Sequence, residues 1–397
     1  MQSILTINSG SSSLKCALFT GAAPRERGVS NPGERGSPSG RNLTSDDSSG
    51  PPPGRRPLAV PEHDMAAQAV VQWLEAQVEF ASVVAVGHRV VHGMRHTAPE
   101  LVTEELLNDL RRISPVDPEH LPREIELIEV FRRRHHSLPQ VACFDTAFHR
   151  TLPRVATLLA IPRRYEAQGV RRYGFHGLSY AYQIEELQRL GDPAATAGRV
   201  ILAHLGHGAS MAAVRDGQCI DTSMGFTPTS GLPMGSRSGD VDPGLIGYLA
   251  QTEQMTPTQF HSMVTGESGL LGISETSSDM RELLAHEDTD VRAAEAVAFF
   301  CYQAKKWIGA FAAALGGVDS LVFAGGIGEN APLVRERICD GLECLGIALD
   351  RQRNATNAPL ISTDAGRARV RVMRTDEERI IAQVVTQLLH LGPTRDT

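Results

Sequence analysis

Residues 3–19 read SILTINSGSSSLKCALF, with two apolar runs on either side of a turn rich in glycine and serine. Each run is predicted to be a strand, so the stretch forms a hairpin with backbone N–H groups at its tip. The same pattern returns at residues 200–214, which read VILAHLGHGASMAAV. Two copies of one strand-turn-strand unit in a single chain indicate two related domains with a cleft between them.

Further strands alternate with helices along the rest of the chain, which favours an α/β fold. A long helix is predicted at residues 292–315, and shorter amphipathic helices at residues 104–112 and 123–134. Short apolar runs predict additional strands at residues 83–86, 141–144, 320–323 and 370–373.

Residues 21–57 interrupt this alternation, because they are crowded with Gly, Pro, Ser and Arg and lack aromatic side chains. Such a segment cannot bury enough apolar surface to offset its ordering entropy, so we predict a flexible insertion. The simplest interpretation is a solvated loop without chemistry. A regulatory or partner-binding role is the alternative.

The composition excludes several classes of protein. The chain has 397 residues, is 41% hydrophobic and carries a formal charge of −7, without the basic surplus that indicates nucleic acid or an anionic membrane as partner. The early polar residues are unlike a signal peptide, and Lys305 and Lys306 interrupt the most apolar later stretch, which argues against a membrane span. Six scattered cysteines without a C-x-x-C pair predict reduced thiols and a cytoplasmic location.

Three glycine-rich turns follow apolar strands, at residues 9–13, 206–210 and 325–330. Glycine lets the backbone approach a ligand closely, and such turns direct several N–H groups toward one anion. A plain hairpin explains any single turn, but three in one chain favour phosphate binding. The Walker A pattern is absent, and G-x-G-x-x-G is absent from the N-terminal turn, which argues against P-loop enzymes and Rossmann dehydrogenases.

Charged residues near the ends of predicted strands complete the candidate site. Arg89 and Arg237 suit bidentate binding of carboxylate or phosphate, although a surface salt bridge explains them equally well. Asp145 and Glu377 each follow an apolar run, and such a pair beside phosphate-binding turns predicts a Mg²⁺ ion held largely by water. His176 is a candidate donor to a transferring phosphoryl group, but a lone histidine is more often structural.

Taken together, these motifs resemble the acetate kinase family, part of the acetate and butyrate kinase group in the actin, hexokinase and Hsp70 superfamily. They occur in family order over nearly the whole chain, apart from roughly residues 20–60. The matching motifs lie at residues 8–15, 87–93, 143–149, 173–177, 204–210, 221–228, 234–242, 325–330 and 375–378.

The resemblance implies two related domains of the ribonuclease H-like type, with an active-site cleft between them. Residues 1–149 would form the N-terminal domain, to which residues 378–397 return. Residues 150–377 would form the second domain, which binds adenosine and makes a homodimer. The implied reaction is reversible transfer of the γ-phosphoryl group of ATP to acetate, giving acetyl phosphate and ADP, with Mg²⁺ or Mn²⁺.

The resemblance also assigns roles to individual residues. The catalytic set would be Arg89, Asp145, His176 and Arg237, with Asn8 and Glu377 at the metal. Carboxylate and acyl group would contact Arg89, Val91, Val116, Phe175 and Pro228. Phosphates and adenosine would contact Ser13, Lys15, His204, Leu205, Gly206, His207, Gly208, Asp279, Met280, Arg281, Gly326, Ile327, Gly328 and Asn330.

Three features depart from the family pattern. His207 stands where the family has a phosphate-contacting asparagine, which affects nucleotide affinity, donor choice or pH dependence. Met94 replaces a glycine, and residues 115–118, Pro-Val-Asp-Pro, replace the usual Pro-Leu-His-Asn-Pro, so the acyl preference stays open. The low-complexity residues 21–57 replace family strands, which predicts a smaller first sheet or a disordered flap.

Several alternatives remain at this point. A propionate or butyrate kinase differs by a CH₂ group or two in its substrate, each worth roughly 1 kcal/mol of discrimination, although Gly-Ile-Gly-Glu-Asn at residues 326–330 leans away from butyrate. A chaperone on this fold needs an added peptide-binding domain, and a filament protein would polymerise with ATP. A non-catalytic nucleotide sensor is favoured only by His207, and the adenosine motif argues against a pyrophosphate donor.

Overall fold

A computed structural model describes residues 2–10, 14–20, 55–59, 66–77 and 80–391. Its strands are β1 (Ser3–Ser9), β2 (Leu14–Thr20), β3 (Arg55–Ala59), β4 (Val83–Val90), β5 (Glu100–Leu101), β6 (Gln140–Phe144), β7 (Arg199–Leu205), β8 (Ala209–Arg215), β9 (Gln218–Thr222), β10 (Ser320–Ala324) and β11 (Arg369–Val372).

The α-helices are α1 (Ala67–Gln77), α2 (Glu104–Ile113), α3 (Leu121–Arg134), α4 (Arg154–Thr157), α5 (Gly177–Arg189), α6 (Ala194–Ala197), α7 (Gly244–Thr252), α8 (Pro257–Gly266), α9 (Gly269–Ser274), α10 (Met280–His286), α11 (Val291–Leu315), α12 (Gly325–Asn330), α13 (Pro332–Cys339), α14 (Arg351–Ala355) and α15 (Glu377–Leu388). Short 3-10 helices lie at Phe80–Ser82, Ser114–Val116, Asp145–Thr151, Glu166–Gln168 and Glu343–Leu345.

The first sheet has six strands in the order β3-β2-β1-β4-β6-β5. Strands β1, β2 and β3 form an antiparallel meander, β4 and β6 run parallel to β1, and β5 pairs antiparallel with β6. Along β1, Leu5 and Ile7 pack with α1 and α3, whereas Ile4 packs with α15. The sheet is therefore covered on both faces, as its near-continuous apolar strands require.

The second sheet has five strands in the order β11-β10-β7-β8-β9. Here β7, β8 and β9 form the antiparallel meander, and β10 and β11 run parallel to β7. Strands β7 to β11 thus repeat the order and directions of β1, β2, β3, β4 and β6. One face packs on α11 through Phe300 and Phe311, and the other packs on α5 through Tyr180 and Ile184. The predicted duplication is confirmed.

Helix α5 connects the cores of the two sheets, and α15 packs on the first sheet. Leu178 of α5 packs in the cluster of the first sheet, while Tyr180 packs in the cluster of the second. Gly87 of β4 faces α15, and a Cβ there would lie 2.3 Å from Ile381 Cγ2 and 2.8 Å from Val385 Cγ2. The glycine lets α15 approach β4 directly, so the C-terminal helix completes the core of the first sheet.

Part of the prediction for residues 21–57 is wrong. Residues 55–57 belong to β3, which pairs with β2 and buries Leu58. An edge strand tolerates Pro57, because an edge position does not require every backbone N–H to be paired. The first sheet therefore has three meander strands, as the second sheet does. Residues 21–54 lie outside the described residues, and the flexible insertion stays a prediction there.

Two further observations bear on the sequence predictions. The predicted strand at residues 83–86 extends to Val90, so Arg89 lies within β4 rather than beyond it. Within the described ranges, no helix combines the length and apolar character that a membrane crossing demands.

We expect Gly87→Ala to destabilise the folded protein by about 1–3 kcal/mol, the usual cost of overpacking a core. The new methyl group would force α15 away from β4, and thermal unfolding followed by circular dichroism measures the loss. Gly247→Ala is the matched control, since nothing lies within 4 Å of a Cβ added there. An unchanged unfolding midpoint for Gly87→Ala would contradict the direct packing of α15 on β4.

Candidate active site

A cavity of about 380 Å³ lies at the carboxyl ends of β1, β4, β6, β7 and β10, where both sheets contribute residues. Folds of the α/β class commonly bind ligands at this edge of their sheets. The residues lining the cavity are Asn8, Gly10, Lys15, Arg89, Val91, His120, Asp145, Phe175, His176, His204, Gly206, His207, Gly208, Pro228, Arg237, Gly325, Gly326, Glu329, Thr375 and Glu377.

An ion pair joins β4 to the end of β6, with side chains only 10% and 0% exposed. The Arg89 guanidinium donates to Asp145 Oδ2 at 3.1 Å from Nε and 2.6 Å from Nη2, and to the Ser9 carbonyl at 3.0 Å. Burial lowers the pKa of Arg89, but the charges of Asp145 and Glu377 raise it above its usual range. Burial raises the pKa of Asp145, and the Arg89 charge opposes that rise. The ion pair of Arg89 is therefore buried, which excludes the alternative that Arg89 forms a surface salt bridge.

Two carboxylates of α15 meet the end of β1. Asn8 Nδ2 donates to Glu377 Oε2 at 2.7 Å and to Glu378 Oε1 at 3.1 Å. Burial raises the pKa of Glu377, but the charges of Arg89 and Lys15 and the hydrogen bond from Asn8 bring it below its usual range. Glu377 is thus an ionised carboxylate on the cavity wall.

Two imidazole rings stack where α5 meets the second sheet. The ring centroids of His176 and His204 lie 4.3 Å apart, with 24° between the planes. Nδ1 of His176 lies 2.8 Å from Ser210 Oγ, and Nδ1 of His204 lies 2.8 Å from Ser179 Oγ. Loss of water lowers the pKa of His176 well below its usual range and that of His204 to about 4. Both rings are therefore neutral at pH 7.

Arg237 reaches the same cavity without a carboxylate partner. Its Nη1 donates to the Pro228 carbonyl at 3.0 Å, and no carboxylate among the described residues lies within 4.0 Å of the guanidinium. Burial lowers the pKa of Arg237, while the more distant charges of Asp117 and Glu119 raise it. A cation largely removed from water and lacking an ion-pair partner favours an anionic ligand at this position.

Two glycine turns bring main chain to the cavity. Gly325 has a φ of +77°, and a Cβ there would lie 2.7 Å from the Leu205 carbonyl oxygen, so the turns at residues 205–208 and 325–329 touch. The N–H of Gly325 donates to Glu329 Oε1 at 3.1 Å. A Cβ on Gly208 would lie 3.3 Å from His176 Nε2, so this glycine leaves room beside the imidazole.

The structure brings most of the predicted site residues to one cavity. The predicted residues that do not line it are Val116, Leu205, Asp279, Met280, Arg281, Ile327, Gly328 and Asn330. Leu205 and Met280 are buried in the core of the second sheet, and Arg281 forms an exposed ion pair with Asp279. Ser13 lies outside the described residues.

Five lining residues are absent from the predicted set, namely Gly10, His120, Gly325, Glu329 and Thr375. All except His120 fall within motifs already recognised in the sequence. The available signal for His120 was its spacing from Asp117, because Asp and His three residues apart can pair within one turn.

Two sheets of the same strand order, with a polar cavity at their carboxyl edges, define an actin-like ATPase fold. The chain belongs to the Acetokinase family, whose profile matches residues 3–383. It is 43% identical to acetate kinase of Methylocella silvestris over 97% of this chain and 98% of the relative, and 44% identical to a propionate kinase of Salmonella typhimurium over 76% of each chain. Porphyromonas gingivalis acetate kinase has a similar crystal structure, with a TM-score of 0.80, 32% identity and coverage of 98% and 100% of the two chains. The predicted fold class and family are confirmed.

Four histidines give the stability a predictable pH dependence. Burial lowers the pKa of His88, His92, His149 and His204 to about 4, from an ordinary value of 6.5. Between these values the unfolded chain binds protons that the folded chain does not. The free energy of unfolding therefore falls with falling pH, by up to about 1.4 kcal/mol per pH unit for each histidine.

We expect the thermal unfolding midpoint to fall between about pH 6.5 and pH 5, and less steeply in His88→Leu than in the unmodified protein. His136→Leu, which removes an exposed histidine, should retain the full slope. Equal slopes for the two variants would show that His88 is not held neutral in the folded state.

Proposed function

We propose that this protein is an acetate kinase, which transfers the γ-phosphoryl group of ATP reversibly to acetate and yields acetyl phosphate and ADP. One observation carries the proposal: Arg89 and Arg237 border the same cavity as a small apolar wall of Val91, Phe175 and Pro228. A short carboxylate would present its charge to the guanidinium groups and its methyl group to the wall. Relatives named acetate kinase support this choice.

The reaction needs no general base, because a short carboxylic acid with a pKa of roughly 4–5 is already ionised at neutral pH. The barrier arises from repulsion between two anions and from charge developing on the transferring group. Arg89 and Arg237 would reduce that repulsion. Asp145 would not be needed as a proton acceptor, and its carboxylate instead pairs with Arg89 through Oδ2.

His176 would stabilise the transferring phosphoryl group with a hydrogen bond. The Tyr180 hydroxyl lies 2.5 Å from Ser210 Oγ, which lies 2.8 Å from His176 Nδ1. A donor chain in this order leaves the ring hydrogen on Nε2. Because the neighbouring glycine at 208 leaves space beside Nε2, a phosphoryl oxygen can approach it.

The nucleotide would occupy the side of the cavity formed by the glycine turns. Its phosphates would contact Lys15, His204 and the main chain of residues 206–208 and 325–326, which line the cavity. Asp279 acts electrostatically on His207 and opposes the lowering of its pKa, so helix α10 lies close to this turn. The adenosine would extend past His207 to Asp279, Arg281 and the main chain of Met280, whose side chain is buried in the core, with Ile327 and Asn330 on its other side.

The donor set fits a magnesium ion. Asp145 Oδ1 is buried and has no hydrogen-bond partner in the described part of the chain, while Glu377 and Asn8 carry further oxygen atoms on the same wall. Mg²⁺ prefers oxygen ligands and keeps several waters, so a few protein ligands suffice beside phosphates. Asp145, Glu377 and Asn8 would hold Mg²⁺ or Mn²⁺, which neutralises phosphate charge when bound.

A propionate kinase is the second candidate. The relative from Salmonella typhimurium bears that name at 44% identity, and a single CH₂ group discriminates by only roughly 1 kcal/mol. A non-catalytic nucleotide-binding homologue is the remote third candidate. The shared cavity of Arg89, Asp145, His176 and Arg237 argues against it.

Domain limits, assembly and location belong to the same proposal. We propose domains at residues 1–149 and 150–377, with the C-terminal helix returning to the first, a homodimer through the second domain, and a cytoplasmic location. Packing of α15 on β1 and β4 supports the return of the C-terminal helix to the first domain. Tyr248 and Tyr302, 62% and 60% exposed, supply aromatic surface of the kind found at interfaces. All six cysteines are free thiols, which suits a reducing compartment.

Arg237→Ala should lower kcat by about 100-fold or more, because a positioned charge that stabilises the transition state is removed. Acyl hydroxamate formed from Mg-ATP, acetate and hydroxylamine measures the rate. Arg237→Lys should recover only part of it, since lysine lacks the planar fork. Arg351→Ala, at a side chain that is 90% exposed, is the control. Near-normal turnover of Arg237→Ala, or no hydroxamate from folded protein that binds ATP, would refute the proposal.

The His207 ring should be neutral and should donate a hydrogen bond to the nucleotide. Its ring lies against Gly235, and loss of hydration there, together with the Arg237 charge, lowers its pKa. We expect His207→Ala to raise the KM for ATP about fivefold, the worth of roughly 1 kcal/mol for one hydrogen bond. His207→Asn, which keeps a donor, should restore most of the affinity at pH 7–8. Equal KM values for all three proteins would remove His207 from the nucleotide site.

A further inference from the structure

The cavity wall assigned to the acyl group has a polar member that acetate does not use. His120 lines the cavity together with Val91, Phe175 and Pro228, whereas the predicted apolar residue Val116 does not. An imidazole is therefore present where the sequence predicted an alkyl side chain.

His120 is held in one orientation by a buried carboxylate. Its Nδ1 lies 2.7 Å from Asp117 Oδ1, and the two side chains are 7% and 0% exposed. Burial raises the pKa of Asp117, but the hydrogen bond from His120 helps to bring it below its usual range. Asp117 is thus an ionised carboxylate that can only accept, so Nδ1 of His120 carries the hydrogen.

The second ring nitrogen of His120 is available to a ligand. Within the described ranges, no protein group hydrogen-bonds Nε2, while the ring itself borders the cavity. A ligand hydroxyl can both donate and accept, so it can pair with Nε2 whether or not that nitrogen carries a hydrogen. The pocket therefore offers a hydrogen-bond partner to a ligand hydroxyl and no polar match to a methyl group.

The His120–Asp117 pair lies at the acyl end of the cavity. The charge of Asp117 acts on both His92 and Arg237. The His92 ring packs edge-on against Phe175, with centroids 5.3 Å apart, and Arg237 donates to the Pro228 carbonyl. Phe175 and Pro228 belong to the apolar wall, so the His120–Asp117 pair lies near that wall and not near the glycine turns.

We propose that His120 binds a hydroxyl group on the acyl substrate, so that this site phosphorylates short 2-hydroxy carboxylates of the size of glycolate in addition to acetate. The inference rests on the proposed function. The carboxylate oxygen forms the new O–P bond, ADP leaves with the electron pair of the broken P–O bond, and the hydroxyl keeps its proton while it hydrogen-bonds with Nε2. Asp117 is a positioning residue that fixes the hydrogen on Nδ1.

Glycolate and propionate form the sharpest test, because they differ by a hydroxyl in place of a methyl group of similar size. We expect kcat/KM for glycolate to exceed that for propionate by at least about tenfold, as sites with a hydrogen-bonding partner for a hydroxyl discriminate strongly. ADP release with Mg-ATP and each of acetate, glycolate and propionate gives the three values.

His120→Leu should lower the glycolate-to-propionate ratio by at least about tenfold, since the hydrogen-bonding nitrogen is replaced by an alkyl group. Asp117→Ala should lower it as well, because the ring is no longer oriented, and His120→Gln should recover part of it. His136→Leu, on the exposed surface, is the matched control and should leave the ratio unchanged.

The outcomes separate this inference from the proposed function. Turnover of acetate with a preference for propionate over glycolate would overturn the role of His120 and leave the acetate kinase proposal intact. An unchanged ratio in both His120→Leu and Asp117→Ala would overturn it equally. Folded protein that turns over none of the three acids would overturn both.

Discussion

The ion pair between Arg89 and Asp145 is the contact on which the site geometry depends. Removing two charges from water costs several kcal/mol for each ion, so such a pair persists only where further bonds support it. The Ser9 carbonyl and Asn8 supply them, with Arg89 Nη1 at 3.0 Å and 3.5 Å from their oxygen atoms. The ends of β1, β4 and β6 are fixed together by one guanidinium.

The main chain of Asp145 also packs closely against the start of α5, a helix that contacts the second sheet. A Cβ on Gly177 would lie 1.9 Å from the carbonyl oxygen of Asp145, so only glycine lets α5 begin against this segment. His176 precedes it with a φ of +57°, a conformation that turns its ring toward Ser210. One turn further along α5, Ser179 holds His204 of β7. The side chains from both halves of the cavity are therefore positioned by contacts that begin at Asp145.

Much of the fold was predictable because its strands are apolar throughout and its turns carry glycine. Strands β1, β2, β7 and β8 follow directly from that pattern. β3 did not, because its residues, RRPLA, include a proline and two arginines that resemble the preceding loop, although Leu58 is buried. The packing of α15 could not be predicted from local sequence either. Nothing in the residues around 377 shows that the helix packs against Gly87 of β4.

The site was predictable wherever a motif fixes both a residue and its main-chain setting. Asp145 follows the end of β6, His176 lies in a glycine-flanked segment and Arg89 lies near the end of β4, and the cavity contains all three. The acyl wall was harder to predict. Val116 and His120 lie in one short turn, and sequence spacing alone does not show which of them faces the ligand; the pairing of His120 with Asp117 decides it.

The packing of α15 on β1 and β4 also has a consequence for how the chain is made. The strands of the first sheet leave the ribosome long before the helix that covers one of their faces. At about 5–20 residues per second, the delay is on the order of tens of seconds. During that interval Ile4, Ala85 and Val141 lack the apolar partners that Ile381 and Val385 later provide. The nascent first sheet therefore exposes an apolar face until α15 has been synthesised. Such a face favours nonspecific association, which chaperone binding would limit.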